Sequence, residues 1–155
     1  MEKSQVRGYI EFMKSYADFL EKAAENEKEK YASLLSYERT RTEKVVSEQQ
    51  VMNMKLNELE EKRIAIQNDM GCKDLTSGQI ADALDEEDKE NLKSIMSRFE
   101  NSINTIKYFN RKSLLFVNEG LGMLNAGIEK QSITYGSDGR RPEDSMRSPL
   151  FEKEI

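Results

Sequence analysis

The side chains whose type and spacing could do chemistry in this chain are carboxylates. Glu58 and Glu61 stand three residues apart, as do Asp85 and Asp88, which places the members of each pair on one side of a helix. Such pairs act as acid and base when their surroundings push their pKa values apart. In helical bundles they hold a metal pair when a Glu-x-x-His motif joins them. This chain has no His, which removes the usual general base near neutral pH and the commonest zinc ligand. Asp85-Glu86-Glu87-Asp88 lacks the alternating ligands and central glycine of a calcium loop. Gly120-Leu121-Gly122 follows no strand pattern, and the phosphate-binding motif G-x-x-x-x-G-K-[ST] does not occur. Cys72 is the single cysteine and has only Lys73 as a nearby cation, so neither an activated thiol nor an internal disulfide is expected. The expectation is a protein with no catalytic residues, no cofactor and no metal. The carboxylates then serve as solvated helix surface and as caps.

Those helices are the main message of the sequence. From Tyr9 to Met70 the chain runs 62 residues without Gly or Pro, and no Pro precedes Pro142. These are the two residues a helix interior tolerates least. Fully helical, that stretch would reach roughly 90 Å, so it must form a rod or fold back on itself. With 37% apolar and 34% charged residues, the 155-residue chain suits helices that each bury one stripe.

The first helix is expected from about Gln5 to Leu35. Val6, Ile10, Met13, Ala17, Leu20 and Ala24 step by four and three; continuing the step gives Glu27, Tyr31 and Leu34, with Glu27 breaking the seam. Tyr9, Phe12, Tyr16, Phe19 and Ala23 form a second stripe beside it, so this helix should touch two neighbours. A second helix is expected from about Arg41 to Met70. Val45, Met52, Leu56, Leu59, Ile66 and Met70 share its apolar face, and Gln49 and Arg63 fill the same phase. A break between Ser36 and Thr42 is favoured over one unbroken helix, with Thr40 and Glu43 as a capping box. Gly71 suits the left-handed position after a helix end. Thr76 and Gln79 form a further capping-box pair opening a short helix through Leu84, and Asp85 to Asp88 is an acidic helix start. The third long helix runs from Glu86 to about Ile128, with Leu92, Met96, Phe99, Ile103, Ile106, Asn110, Ser113, Val117 and Leu124 in phase. Asn110 lies on its apolar face, where a buried Asn can set register.

The fold class is therefore all-α: an antiparallel hairpin or bundle of three long helices, coiled-coil-like, over residues 1–130. Residues 131–155 contain both prolines and few large apolar residues and are read as a flexible tail. Its aromatic-centred island, Ile133 to Gly139, holds Tyr135. The net charge of −5 argues against nucleic acid as a partner. No run approaches ~20 apolar residues, so membrane insertion is not expected. The N-terminus has no apolar signal segment, so a cytoplasmic location is expected.

Three segments resemble a known family. The run E-Q-Q-V-M-N-M-K-L-N-E-L-E-E-K-R, Glu48 to Arg63, resembles the second-helix signature of the FlgN family of flagellar export chaperones. The segment N-R-K-S-L-L-F-V-N-E-G-L-G-M-L, Asn110 to Leu124, is similar to a segment of that family's third helix. The island T-Y-G-S-D-G-R, Thr134 to Arg140, resembles its Tyr-Gly element. The resemblance implies a cytoplasmic chaperone that is not an enzyme. It would hold hook-associated, hook–filament junction proteins soluble and deliver them to the type III export gate of the flagellum. It maps export-gate docking onto Tyr135 and client binding onto Phe116, Val117, Leu121, Leu124 and Ile128. A helix with a spare apolar stripe could bury a client's amphipathic terminal helix in the same way. Whether the free protein is a monomer or a homodimer is left open by the sequence, and a structural coiled-coil scaffold is the rival expectation.

Overall fold

The computed structural model describes residues 2–130, which form four helices in the order α1 (Lys3–Ser36), α2 (Arg39–Asp69), α3 (Ser77–Asp82) and α4 (Glu86–Lys130). No strand occurs among the described residues. The three long helices run up, down and up, so α1 and α4 are parallel and α2 is antiparallel to both. Tyr16 meets Phe99, Lys30 meets Asn110 and Tyr37 meets Phe116. The parallel pair thus holds one register, about 80 residues apart in sequence.

α1 is the central helix, packed on both α2 and α4. Its two adjoining stripes explain this. Val6, Tyr9, Met13, Tyr16, Ala17, Leu20, Ala23 and Ala24 are all buried, with Phe12 and Phe19 half-buried beside them. Leu56, Leu59 and Met70 meet them from α2, and Leu92, Ile95, Phe99 and Ile106 from α4. The Tyr16 and Phe99 rings lie 4.8 Å apart, and Phe12 meets Tyr16 edge-on at 6.0 Å. Full burial of each such side chain contributes about 1.5–3 kcal/mol, so this stripe carries the fold.

The helix ends show which local signals governed. α1 stops at Tyr37, which has φ of 58° and donates its N–H to the Leu34 carbonyl at 3.3 Å. The break falls inside the expected window, but on a residue that pays no heed to glycine's usual role. A non-glycine residue in that left-handed region costs roughly 1–2 kcal/mol. The expected capping box at Thr40 and Glu43 is not formed. α2 begins earlier, with Glu38 as its N-cap, so both residues lie inside the helix and Glu43 accepts from Arg39 Nε at 2.7 Å. Gly71, with φ of 74°, does turn the chain after α2, and Cys72 N–H bonds back to the Gln67 carbonyl at 2.8 Å. The box at Thr76 and Gln79 forms as expected, at 3.2 and 2.9 Å. α3 ends at Asp82 rather than Leu84, and buries Ile80 and Ala81. Asp85 caps α4 by accepting Asp88 N–H at 2.9 Å.

Candidate partner-binding surface

Two buried polar groupings and one protruding helix end arise from this frame. The first grouping lies toward α3. Arg63 donates from Nε and Nη2 to the two Glu60 carboxylate oxygens at 3.0 and 2.6 Å, and from Nη1 to Gln67 Oε1. Tyr16 Oη donates to Glu60 at 3.2 Å, and Tyr9 Oη to Gln67 at 3.3 Å. Tyr9 also shares a hydrogen bond with Ser77 of α3 at 3.0 Å, and Gln67 Nε2 donates to the Leu75 carbonyl at 3.0 Å. Burial raises the Tyr9 and Tyr16 pKa values, the Glu60 carboxylate adding to the rise at Tyr16. The Arg63 guanidinium is held above its ordinary value, chiefly by its bonds to Glu60. Every contact here is internal and saturated, and the tyrosines stay neutral. The arrangement locks α1, α2 and α3 together and offers no reactive group.

The second grouping lies farther along α1. Glu27, the residue that interrupts the α1 seam, is buried beside Lys30, with Nζ 2.8 Å from Oε2. Gln49 of α2 donates its amide to Glu27. Lys30 donates to Asn110 Oδ1 of α4 at 3.2 Å. One polar residue from the apolar face of each long helix, Glu27, Gln49 and Asn110, thus joins through Lys30 in one chain, Gln49–Glu27–Lys30–Asn110. Burial raises the Glu27 pKa, and the Lys30 charge opposes that rise. Next to this chain the side-chain oxygens of Asn26 and Ser113 are buried without a hydrogen-bond partner among the described residues. Buried polar atoms of that kind are uncommon and costly. This part of the bundle is specified in register but weaker in packing.

Beyond it, α1 and α2 both stop while α4 continues. At this end of the bundle Tyr37 lies against Phe116, with rings 5.8 Å apart. α4 extends about 14 residues past Phe116, from Val117 to Lys130, roughly 21 Å. Here the expected client residues separate. Phe116 and Val117 are half-buried at the base, Leu121 and Leu124 are exposed, and Ile128 is half-buried. Val117, Leu121, Leu124 and Ile128 repeat by four and three, continuing the stripe that α1 covers lower down. Leu124 is 60% exposed and Met123 76% exposed. Gly120, Gly122 and Gly127 have open space where a side chain would project. Tyr135, the expected docking tyrosine, lies outside the described residues.

Tyr37 was not singled out by sequence pattern. It is 83% exposed and holds the single non-glycine positive φ among the described residues. The only signal for it was an aromatic residue in a helix gap that lacks glycine. Among the described residues no group of His, Cys, Asp or Glu is placed to hold a metal ion, and no helix is long and apolar enough to cross a membrane. The arrangement is suited to holding another chain by its apolar side. The chain matches no family model, no curated protein and no solved structure.

Proposed function

We propose that this protein is a flagellar type III secretion chaperone. It binds hook-associated junction proteins in the cytoplasm and delivers them to the export gate. Its work is binding rather than catalysis. The observation that carries this reading is the exposed apolar side of the end of α4, at Leu121 and Leu124. A solvated helix of about 14 residues with three glycines is marginal alone, yet it presents Leu121 and Leu124 to solvent in the phase of the bundle's own core. Such a stripe gains most when a second amphipathic helix lies along it. The family resemblance of the segment Asn110–Leu124 points to the same residues. Contact with the export gate is assigned to Tyr135, on the resemblance of its Tyr-Gly element.

The test is calorimetry of the full chain against each hook-associated junction protein from the same strain. Replacing Leu121 and Leu124 together by Asp should weaken binding at least 100-fold while the melting transition moves little. Unchanged affinity would sink the assignment of this surface.

A further inference from the structure

We propose that two copies of this chain exchange their α1 helices. The turn at Tyr37 opens, and α1 and α2 of each copy run on as one helix. The surface that meets the second copy is the one α1 already buries within its own chain. The exchange is independent of what binds the end of α4.

The turn is the strained point of the α1–α2 hairpin. α1 ends at Ser36 and α2 begins at Arg39, so only Tyr37 and Glu38 reverse the chain. Tyr37 is the single non-glycine residue with positive φ among the described residues. Gly or Asn would hold that backbone with less strain. Its N–H bonds to the Leu34 carbonyl at 3.3 Å, Glu38 N–H bonds to Ser36 Oγ at 3.2 Å, and its exposed ring touches Phe116. Nothing in the local sequence forbids a helix here, since no Gly or Pro occurs from Tyr9 to Met70. In a continuous helix the last carbonyls of α1 bond to the first N–H groups of α2. Tyr37 then returns to right-handed backbone. Short connections under strain are where chains exchange elements.

The packing of α1 makes a second copy the occupant. Its core partners lie after the turn: Tyr9 meets Gln67 and Ser77, Tyr16 meets Glu60 and Phe99, Glu27 meets Gln49, and Lys30 meets Asn110. An opened chain by itself would expose Tyr9, Met13, Tyr16, Leu20 and Lys30, all buried to within 1%. A second opened chain presents the same α2, α3 and α4 surfaces, so each of these contacts re-forms between copies. Because α2 is antiparallel to α1, the two through-helices lie antiparallel about a two-fold axis. Each runs from Lys3 to Asp69, roughly 100 Å. The 34 residues of α1 given by each copy exceed the roughly 20–30 a side of a stable interface.

The experiment refolds the full chain from urea at low and at high protein concentration. Mass is read by size-exclusion chromatography with light scattering. Wild type should give monomer at low concentration and a growing share of dimer at high concentration. Tyr37→Gly and Tyr37→Asn relax the turn, so each should dimerise roughly 10-fold or more weakly. Tyr37→Ala keeps the strain, loses the Phe116 contact and favours helix, so it should dimerise roughly 10-fold more tightly. Arg39→Pro separates exchange from simple association. Arg39 is the first residue of α2 and follows an extended Glu38, at φ −87° and ψ 100°, so Pro fits the hairpin there. The Arg39–Glu43 pair it removes is exposed and contributes little. In a continuous helix the same Pro loses an N–H bond and strikes the Leu35 carbonyl. Arg39→Pro should melt close to wild type and stay monomeric at every concentration. Dimer that persists in Arg39→Pro overturns the exchange and places the contact on an outer surface. Absence of dimer in both wild type and Tyr37→Ala overturns it outright. Should Arg39→Pro fail to fold, equal dimerisation of wild type and Tyr37→Gly overturns it alone.

Discussion

Toward α3, Arg63 is bonded to Glu60 and Gln67, which two tyrosines bond in turn, in a bundle whose core includes the fully buried Met13, Leu20, Ile80 and Leu92. Roughly 20 Å along the bundle, Lys30 is more deeply buried than Arg63 but bonds to one carboxylate and one amide, with two orphaned oxygens close in sequence to its partners. The first region has both apolar packing and complete polar satisfaction. The second has register without reserve, since its aromatic pairs Tyr31–Phe109 and Tyr37–Phe116 sit at 6.1 and 5.8 Å near the surface. The contrast teaches that one bundle can keep a rigid end and a yielding end by distributing a few polar residues. The yielding end is the one from which α4 protrudes.

The comparison breaks most severely at Arg63. Arg63→Ala leaves the Glu60 carboxylate buried without its main partner and removes one of the donors to Gln67 Oε1. Loss of one member of a buried pair costs about 3–5 kcal/mol, which urea denaturation would read directly. A loss under 1 kcal/mol would mean that the region near α3 depends on its apolar shell alone.

At the other end, Lys30→Met should destabilise by about 3 kcal/mol, because Glu27 is then buried uncompensated. Glu27→Leu combined with Lys30→Met should recover that loss and restore or exceed wild-type stability. Hydrogen exchange would show slower opening around residues 26–36 in the double variant. If the double variant stays as unstable as the single one, the pair contributes more than register.

The smallest effect is a pH dependence confined to Glu27. Its pKa is raised by burial above the ordinary 4.5, with Lys30 and Gln49 facing it. A group with a raised folded pKa adds stability fully below its unfolded value, and that addition fades as pH rises through the folded value. Relative to Glu27→Gln, wild type should therefore gain stability as pH falls toward 4.5. Parallel melting curves from pH 7 to 4.5 check the sign. A relative loss on acidification would show that the Lys30 charge outweighs burial.

Much of this contrast could be read along the sequence, residue by residue. Glu27, Gln49 and Asn110 stood out as polar residues on apolar faces. What pattern alone could not supply was their meeting, since register between helices distant in sequence is set by packing. Helix ends with reciprocal side-chain bonds, as at Thr76 and Gln79, were legible because the bonds are local. The box at Thr40 and Glu43 misled because the preceding turn is set by Tyr37, whose left-handed backbone no nearby residue announces. The apolar repeat from Val117 to Ile128 was visible, whereas its lack of cover depends on where α1 and α2 end.

The register between α1 and α4 has a consequence for the order in which the molecule can be made. Glu27 and Gln49 are 22 residues apart, whereas Lys30 and Asn110 are 80 apart. Emerging from the ribosome at about 5–20 residues per second, α1 waits roughly 4–16 s before its α4 partner is synthesised. During that interval the α1–α2 hairpin can close, but the side of Tyr16 and Leu20 destined for α4 stays open. A protein whose finished form exposes Leu121 and Leu124 passes, during its own synthesis, through a stage that exposes a longer apolar stripe.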